Sequence, residues 1–371
     1  MFKSLGQYDK AKEFLEKALA VQIEIGDKEG EASSYGNLGT VFESLGQYDK
    51  AKQYLENALG IEIQTGDKKG ESTSLGYLGI MFRSLGQYDK AIAYLEKALA
   101  IKIQIGDKQG EARLYGNIGT VFQSLDQCDK AIEYTEKALA IRIEIGDKNG
   151  EATCYRKLGI LLGRPGQYDK AKEYLEKALA IKTGDKEREA RSYRSLGTLL
   201  QSLAQYDKAK KYFEKAHAII IQIGDKEGEA TSYRDLGTVF QSLGQYEKAK
   251  EYFEKALAIR KQIGDKQGEA ADYRNLAVLY HTVGEFVTAE GYSEKALSIA
   301  RDIADLQEEL DILFLLARVK LSQNKVQEAL RFLVFSMKKS ESLRSFLGNN
   351  DDFKVSSSVS NFWLGFDSKL S

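Results

Sequence analysis

One phrase returns at a fixed interval along the chain and leaves few folds open. Gly-Asp-Lys begins at Gly26, Gly66, Gly106 and Gly146 at intervals of 40 residues, reaches Gly184 after 38, and resumes at 40 with Gly224 and Gly264. Self-similarity at such a period marks an array in which each unit buries its apolar face only against its neighbours. Between the glycines runs a near-constant text, such as "GEASSYGNLGTVFESLGQYDKAKQYLENALGIEIQTGD" at 30–67. It holds two helical stripes. Tyr35, Leu38, Val41 and Phe42 share one face of the first, and Tyr48, Ala51, Leu55, Ala58 and Leu59 share one face of the second. "SLGQYD" separates them, with Gly46 placed for the left-handed conformation that ends a helix.

The repeated phrase itself admits three readings. A glycine beside a lysine suggests a phosphate loop, but no strand precedes it and no GK[ST] follows. An aspartate beside a glycine suggests a calcium loop, but the DxDxDG ladder of ligands is missing. The third reading is punctuation. Gly26 closes one helix with positive φ, Asp27 accepts from the free N–H groups of the next, and Glu29 and Glu31 sit where the helix dipole favours negative charge.

Composition excludes several classes. Among 371 residues, 54 are basic and 55 acidic, for a net charge of −1, without the cationic surplus that phosphate contacts demand. Nucleic acid is therefore not an expected partner. Two cysteines, Cys128 and Cys154, make no disulfide framework. The N-terminus "MFKSLGQYDKAKEF" lacks the apolar core of a signal peptide, and no apolar run approaches the ~18 residues of a membrane span. The chain reads as cytoplasmic, with no membrane insertion. A single proline amid abundant Ala, Leu, Glu and Lys favours helix throughout.

Small residues carry the strongest signal. Glycine inside a helix costs ~1 kcal/mol against alanine. Gly39, Gly79, Gly119, Gly159, Gly197 and Gly237 would be a repeated defect unless each admitted a close partner helix. Ala51, Ala91, Ala131, Ala171, Ala209 and Ala249 supply the facing small surface. Tyr35, Leu38-Gly39, Phe42, Ala51, Leu55 and Ala58 together resemble the tetratricopeptide repeat (TPR) signature. The units run about six residues past the ~34-residue TPR standard and lack its closing proline. With "YGNLG" and "GDK", the longer unit is similar to Pins/LGN-type polarity scaffolds and to tetratricopeptide repeat protein 28-like proteins. The resemblance implies an all-α fold, a right-handed α-α superhelix of stacked antiparallel helix pairs.

On that frame, residues 1–28 are an orphan second helix of a truncated repeat, because Met1 to Gly6 align with Met81 to Gly86. Such a start suggests a fragment or an opening at an internal methionine. Seven units of about 40 residues fill 29–305, and a divergent helix pair with Ala317, Ala329 and Leu333 at the expected places fills 306–340. A polar tail, 341–371, is expected to be poorly ordered, with Phe346, Phe353, Phe362 and Trp363 as stranded hydrophobes. "SESLRSFLGNNDDFK" resembles the lead-in to a CHAT domain, a caspase-like fold. Two irregularities mark the fourth unit: Pro165 in its inter-helix turn, and "AIKTGDK", two residues short, which predicts a local change of twist around Thr183–Lys186.

No catalytic constellation emerges. His217 stands where other units have leucine, and His281 stands at the end of a first helix. Cys128 replaces a tyrosine and Cys154 a serine, and no pair has metal-ligand spacing. The tyrosines recur at repeat spacing, as core residues do. The chain is read as no enzyme, with no cofactor and no metal.

What remains is an interaction surface. In TPR proteins the first helices line a groove, and the resemblance assigns it here to the pair before each "LG": Gly36-Asn37, Gly76-Tyr77, Gly116-Asn117, Arg156-Lys157, Arg194-Ser195, Arg234-Asp235 and Arg274-Asn275. Arg113 and Arg191 fall on the same inner side. The candidate groove residues are Asn37, Asn117, Arg156, Lys157, Arg194, Arg234, Asp235, Arg274 and Asn275. Guanidinium groups favour forked carboxylate contacts and asparagine bonds extended backbone, so an acidic segment of another protein is the expected ligand. The opposing reading has each arginine paired with an acid of its neighbour. The expected function is a scaffold for other proteins, with roles in cell polarity and division implied by the resemblance. The alternative is the regulatory arm of a CHAT-domain protein. Oligomeric state is not set by the sequence.

Overall fold

The computed structural model describes residues 5–346 apart from Pro165; the side chains it places lie between residues 8 and 339. Pro165 and the hydrophobes of the tail beyond 346 thus lie outside the described residues. The described residues form 17 helices and no strand. They divide between two compact units, Met1–Thr183 and Gly184–Ser371.

In the first unit α1 (Leu5–Ile25) precedes four hairpins: α2 (Lys28–Ser44) with α3 (Tyr48–Thr65), α4 (Lys68–Ser84) with α5 (Tyr88–Gln104), α6 (Lys108–Ser124) with α7 (Cys128–Glu144), and α8 (Lys148–Leu161) with α9 (Tyr168–Ala180). In the second, four more follow: α10 (Lys186–Ser202) with α11 (Tyr206–Ile223), α12 (Lys226–Ser242) with α13 (Tyr246–Ile263), α14 (Lys266–Thr282) with α15 (Phe286–Asp302), and α16 (Leu306–Ser322) with α17 (Val326–Phe346). Within each unit every helix packs against the next in sequence, and leading helices also touch the leading helices of adjacent hairpins, as α2 does α4 and α14 does α16. None of the described helices is long and apolar enough to cross a membrane.

Gly-Asp-Lys is punctuation, and its geometry repeats. Gly66 takes φ 74° at the end of α3, in the left-handed region that a side chain resists. Asp67 then accepts from the backbone N–H of Gly70 at 2.9 Å. The same capping bond, 2.8–3.0 Å long, opens α2, α6, α8, α10, α12, α14 and α16. Each contributes about 1 kcal/mol by satisfying a donor that the helix cannot.

The small-residue seams close the hairpins. Ala51, Ala91, Ala131, Ala171, Ala209 and Ala249 are all fully buried. A Cβ added at Gly79 would come within 2.6 Å of Leu95, so glycine there is set by space. An aromatic layer covers each seam: Phe42 stacks on Tyr54 at 5.1 Å between centroids, and Phe82 on Tyr94 at 5.2 Å. Tyr280 on Tyr292 repeats the arrangement in the second unit at 5.3 Å. Such pairs add about 0.5–1.5 kcal/mol beyond their buried area.

Two departures have local causes. Ala18 of α1 is exposed, whereas Ala58 at the same register of α3 is fully buried, because no described leading helix precedes α1. The two-residue deletion in "AIKTGDK" ends α9 at Ala180, with Ile181 extended at φ −79° and ψ 101°, and the boundary between the compact units falls immediately after, at Thr183.

Candidate functional site

The leading helices present their polar residues in ranks one repeat apart, and hydrogen bonds join successive ranks. In the first unit Ser84 of α4 donates to Glu43 of α2 at 3.3 Å. Lys157 of α8 donates to the Gly116 carbonyl at 3.3 Å and to Thr120 Oγ1 at 3.0 Å, both on α6. Asn37 on α2 is exposed and Asn117 on α6 half-buried, with Tyr77 exposed between them on α4. Arg156 lies half-buried beside Lys157. Burial, with Arg156, Arg83 and Arg142 adding positive charge, pulls the Lys157 ammonium below the usual lysine range. Lys157 is therefore a tie between two leading helices.

In the second unit the three arginines are treated differently. Arg194 of α10 forks onto Asp235 of α12, Nε to Oδ2 at 2.5 Å and Nη2 to Oδ1 at 3.4 Å. Arg274 of α14 donates from Nε to Glu308 of α16 at 2.7 Å. Arg234, between them on α12, is half-buried, and its guanidinium makes no hydrogen bond or ion pair among the described residues. Its charge acts on the buried carboxyl of Asp272. Asn275 is half-buried beside Arg274. The structure thus splits the sequence-derived set. Arg156 and Lys157 belong to one compact unit, while Arg194, Arg234, Asp235, Arg274 and Asn275 belong to the other. Asp235 serves as the partner of Arg194. Of the two flanking arginines, Arg113 is exposed, and Arg191 pairs within its own helix with Glu187.

The pairs that occupy this face are weakly held. Arg194 is 47% exposed, and an ion pair so open to water contributes only ~0–1 kcal/mol. The remaining candidates are packing groups: His217 lies 2.7 Å from Ser232 Oγ with its ring against Tyr233, and burial lowers its pKa. His281 lies 3.0 Å from Ser322 Oγ on the next leading helix. Burial pushes the Cys154 thiol up, away from the reactive thiolate.

Sequence reasoning passed over the buried charges. Arg260 of α13 is 4% exposed; it donates from Nη1 to Asp265 and from Nη2 to Thr231, both at 2.6 Å. Asp272 of α14 is completely buried, and neither of its oxygens has a hydrogen-bond partner. One signal was available: Asp272 stands where other units carry Ser34, Ser74, Ser192 and Ser232.

A family model described as "Tetratricopeptide repeat" matches residues 1–64, 44–104, 110–183 and 188–262, well over half of the chain. No curated protein sequence resembles the chain closely enough to count as a relative. Among solved structures, the apo form of the quorum sensor NprR from B. thuringiensis is 18% identical with a TM-score of 0.64, covering 90% of this chain and 99% of its own. A Rap protein complexed with Competence and Sporulation Factor is 16% identical with a TM-score of 0.62, covering 91% of this chain and 94% of its own. The STAND protein PH0952 from Pyrococcus horikoshii, described as having a tetratricopeptide repeat sensor, is 20% identical with a TM-score of 0.59; the match covers 92% of this chain and 53% of that one. At these identities the likeness is one of fold. Repeat text, capped hairpins, glycine–alanine seams and the matching family model agree that the chain belongs to the tetratricopeptide repeat family.

Proposed function

We propose that the chain is a non-catalytic cytoplasmic scaffold that binds extended or helical peptide segments of partner proteins along its leading helices. The anchor of the second unit is Arg234, with Arg194, Arg274 and Asn275 around it. The observation that carries this reading is the contrast among the three arginines: two hold exchangeable partners on the next leading helix, and the third holds none. A ligand carboxylate gains a forked contact at Arg234 and can displace the weak Arg194–Asp235 pair. The likeness of fold to a Rap protein complexed with Competence and Sporulation Factor supports the reading, since that protein holds a bound factor. Asn37, Tyr77 and Asn117 give the first unit an uncharged counterpart suited to peptide backbone.

A displayed library of random twelve-residue peptides tests this. The reading expects enrichment of Asp- and Glu-bearing peptides whose binding weakens with salt and falls at least tenfold in Arg234→Glu. Selection of peptides indifferent to both salt and Arg234→Glu sinks the electrostatic groove.

A further inference from the structure

Asp272 puts a carboxyl at a register where the earlier units carry serine, leucine or cysteine, and its surroundings are charged. From α12 come Arg234 and Asp235, from α13 Arg260, and from the turn before α14 Asp265. Other titratable groups packed on this part of α14 include Tyr292 and Lys295 of α15 and Lys261 of α13, all against Tyr273, and Glu308 of α16, held by Arg274. An ionised carboxylate with no hydrogen bond is among the costliest groups to bury. Asp272 must therefore take up a proton or draw in a donor. Arg260 is tied at both Nη1 and Nη2, and its Nε–H is buried without a partner, 4.0 Å from Asp272 Oδ2. Arg234 has committed nothing, and a long half-buried side chain moves inward more easily than one already tied at two points.

We propose that Asp272 is a proton-operated latch on Arg234: the neutral carboxyl leaves the Arg234 guanidinium on the inner face of α12, and the ionised carboxylate draws it in from there. The device rests on the proposed role of Arg234 only for its consequence, which is weaker capture of acidic segments as pH rises. Burial pushes the Asp272 carboxyl up to about 7, against the pull of Arg234 and Arg260, so the two states exchange dominance near neutrality. Each further pH unit then changes their ratio about tenfold.

The test uses the full chain without any peptide, with labelled aspartate carboxyl carbons and arginine Nε–H groups followed by NMR across pH 5.5–8.5. The Asp272 signal, assigned by its loss in Asp272→Ser, is expected to titrate with a midpoint near 7. The Arg234 Nε–H resonance should move with the same midpoint and stay still in Asp272→Ser, a variant carrying the residue that four other units use. A midpoint in the ordinary carboxylate range overturns the latch. So does an unmoved Arg234 resonance, including the case where Arg260 Nε–H moves in its place. Because no ligand is present, failure of the peptide selection leaves this outcome untouched, and a flat Arg234 resonance leaves the groove standing.

Discussion

Substitution of Gly197 by alanine sets two known effects against each other at one position. Alanine in a helix interior is favoured over glycine by ~1 kcal/mol. In α10, however, the new Cβ would lie 2.7, 2.8 and 2.9 Å from Cε1, Cδ1 and Cζ of Phe213. Carbon–carbon contacts settle near ~3.5–4 Å, so the ring must retreat by most of an ångström. Phe213 is 2% exposed and its flat ring has nowhere to turn. Overpacking of this kind costs ~1–3 kcal/mol, and a rigid ring places the cost at the upper end. The expected net loss is roughly 1–2 kcal/mol. Gly119 is the control: its nearest obstacles are Thr135 Oγ1 at 3.1 Å and the Ala131 carbonyl at 3.2 Å, so Gly119→Ala should come out within about 0.5 kcal/mol of neutral. The third unit of the second group of hairpins contains the natural compensation, since Ala277 takes the glycine register and Ser293 the phenylalanine register, both fully buried. Gly197→Ala should therefore lose its penalty in a Phe213→Ser background, giving a coupling of about 2 kcal/mol in the double-mutant cycle. Repeat arrays do not unfold as one two-state body, so the readout is hydrogen exchange at the amides of α10 and α11. Slower exchange in Gly197→Ala, or an equal penalty in both backgrounds, refutes the close-approach argument.

Three further outcomes follow from single contacts. The Asp272 pKa is raised on folding, so the folded chain binds more protons than the unfolded chain between about pH 4 and 7, and stability falls as pH rises through that window. Asp272→Ser should remove this slope and gain at most about 4 kcal/mol over the parent at pH 8, read by exchange in α14; a parent with no slope between those values contradicts the buried orphan carboxyl. Asp67→Ala should cost about 1 kcal/mol through loss of the Gly70 cap, and Asp67→Asn much less, with faster exchange confined to the first turn of α4; equal losses would mean the cap bond is not the source. A double-mutant cycle on Arg194 and Asp235 should give a coupling below about 1 kcal/mol that shrinks in salt, and a larger value would mean the pair is too firmly held for a ligand to displace.

Much of the architecture is written in short-range text. The left-handed glycine, the capping aspartate and the stripe from Tyr48 to Ala58 act within one or two helical turns, so they are readable without neighbours. Gly39 and Ala51 are also legible, because a helix tolerates repeated glycine only where something approaches closely. The candidate site was legible in its residues and not in their state. Arg194, Arg234 and Arg274 look alike in the repeat, yet Arg194 is bonded to Asp235, Arg274 to Glu308, and Arg234 to neither. Lys157 reads as a groove cation and turns out to bridge α6 and α8.

The repeat period, the two helices per unit, their caps and their small-residue seams were determined by the amino-acid sequence alone, since each follows from local backbone preference and the spacing of apolar residues. Only the tertiary structure decided which leading-helix charges are spent on neighbouring hairpins, that Asp272 is sealed from water, and that the division into compact units falls at the shortened turn after α9. Those outcomes depend on distances of a few ångströms between side chains some 40 residues apart, such as Arg194 and Asp235, where electrostatic and desolvation energies change steeply and the chain text carries no measure of separation.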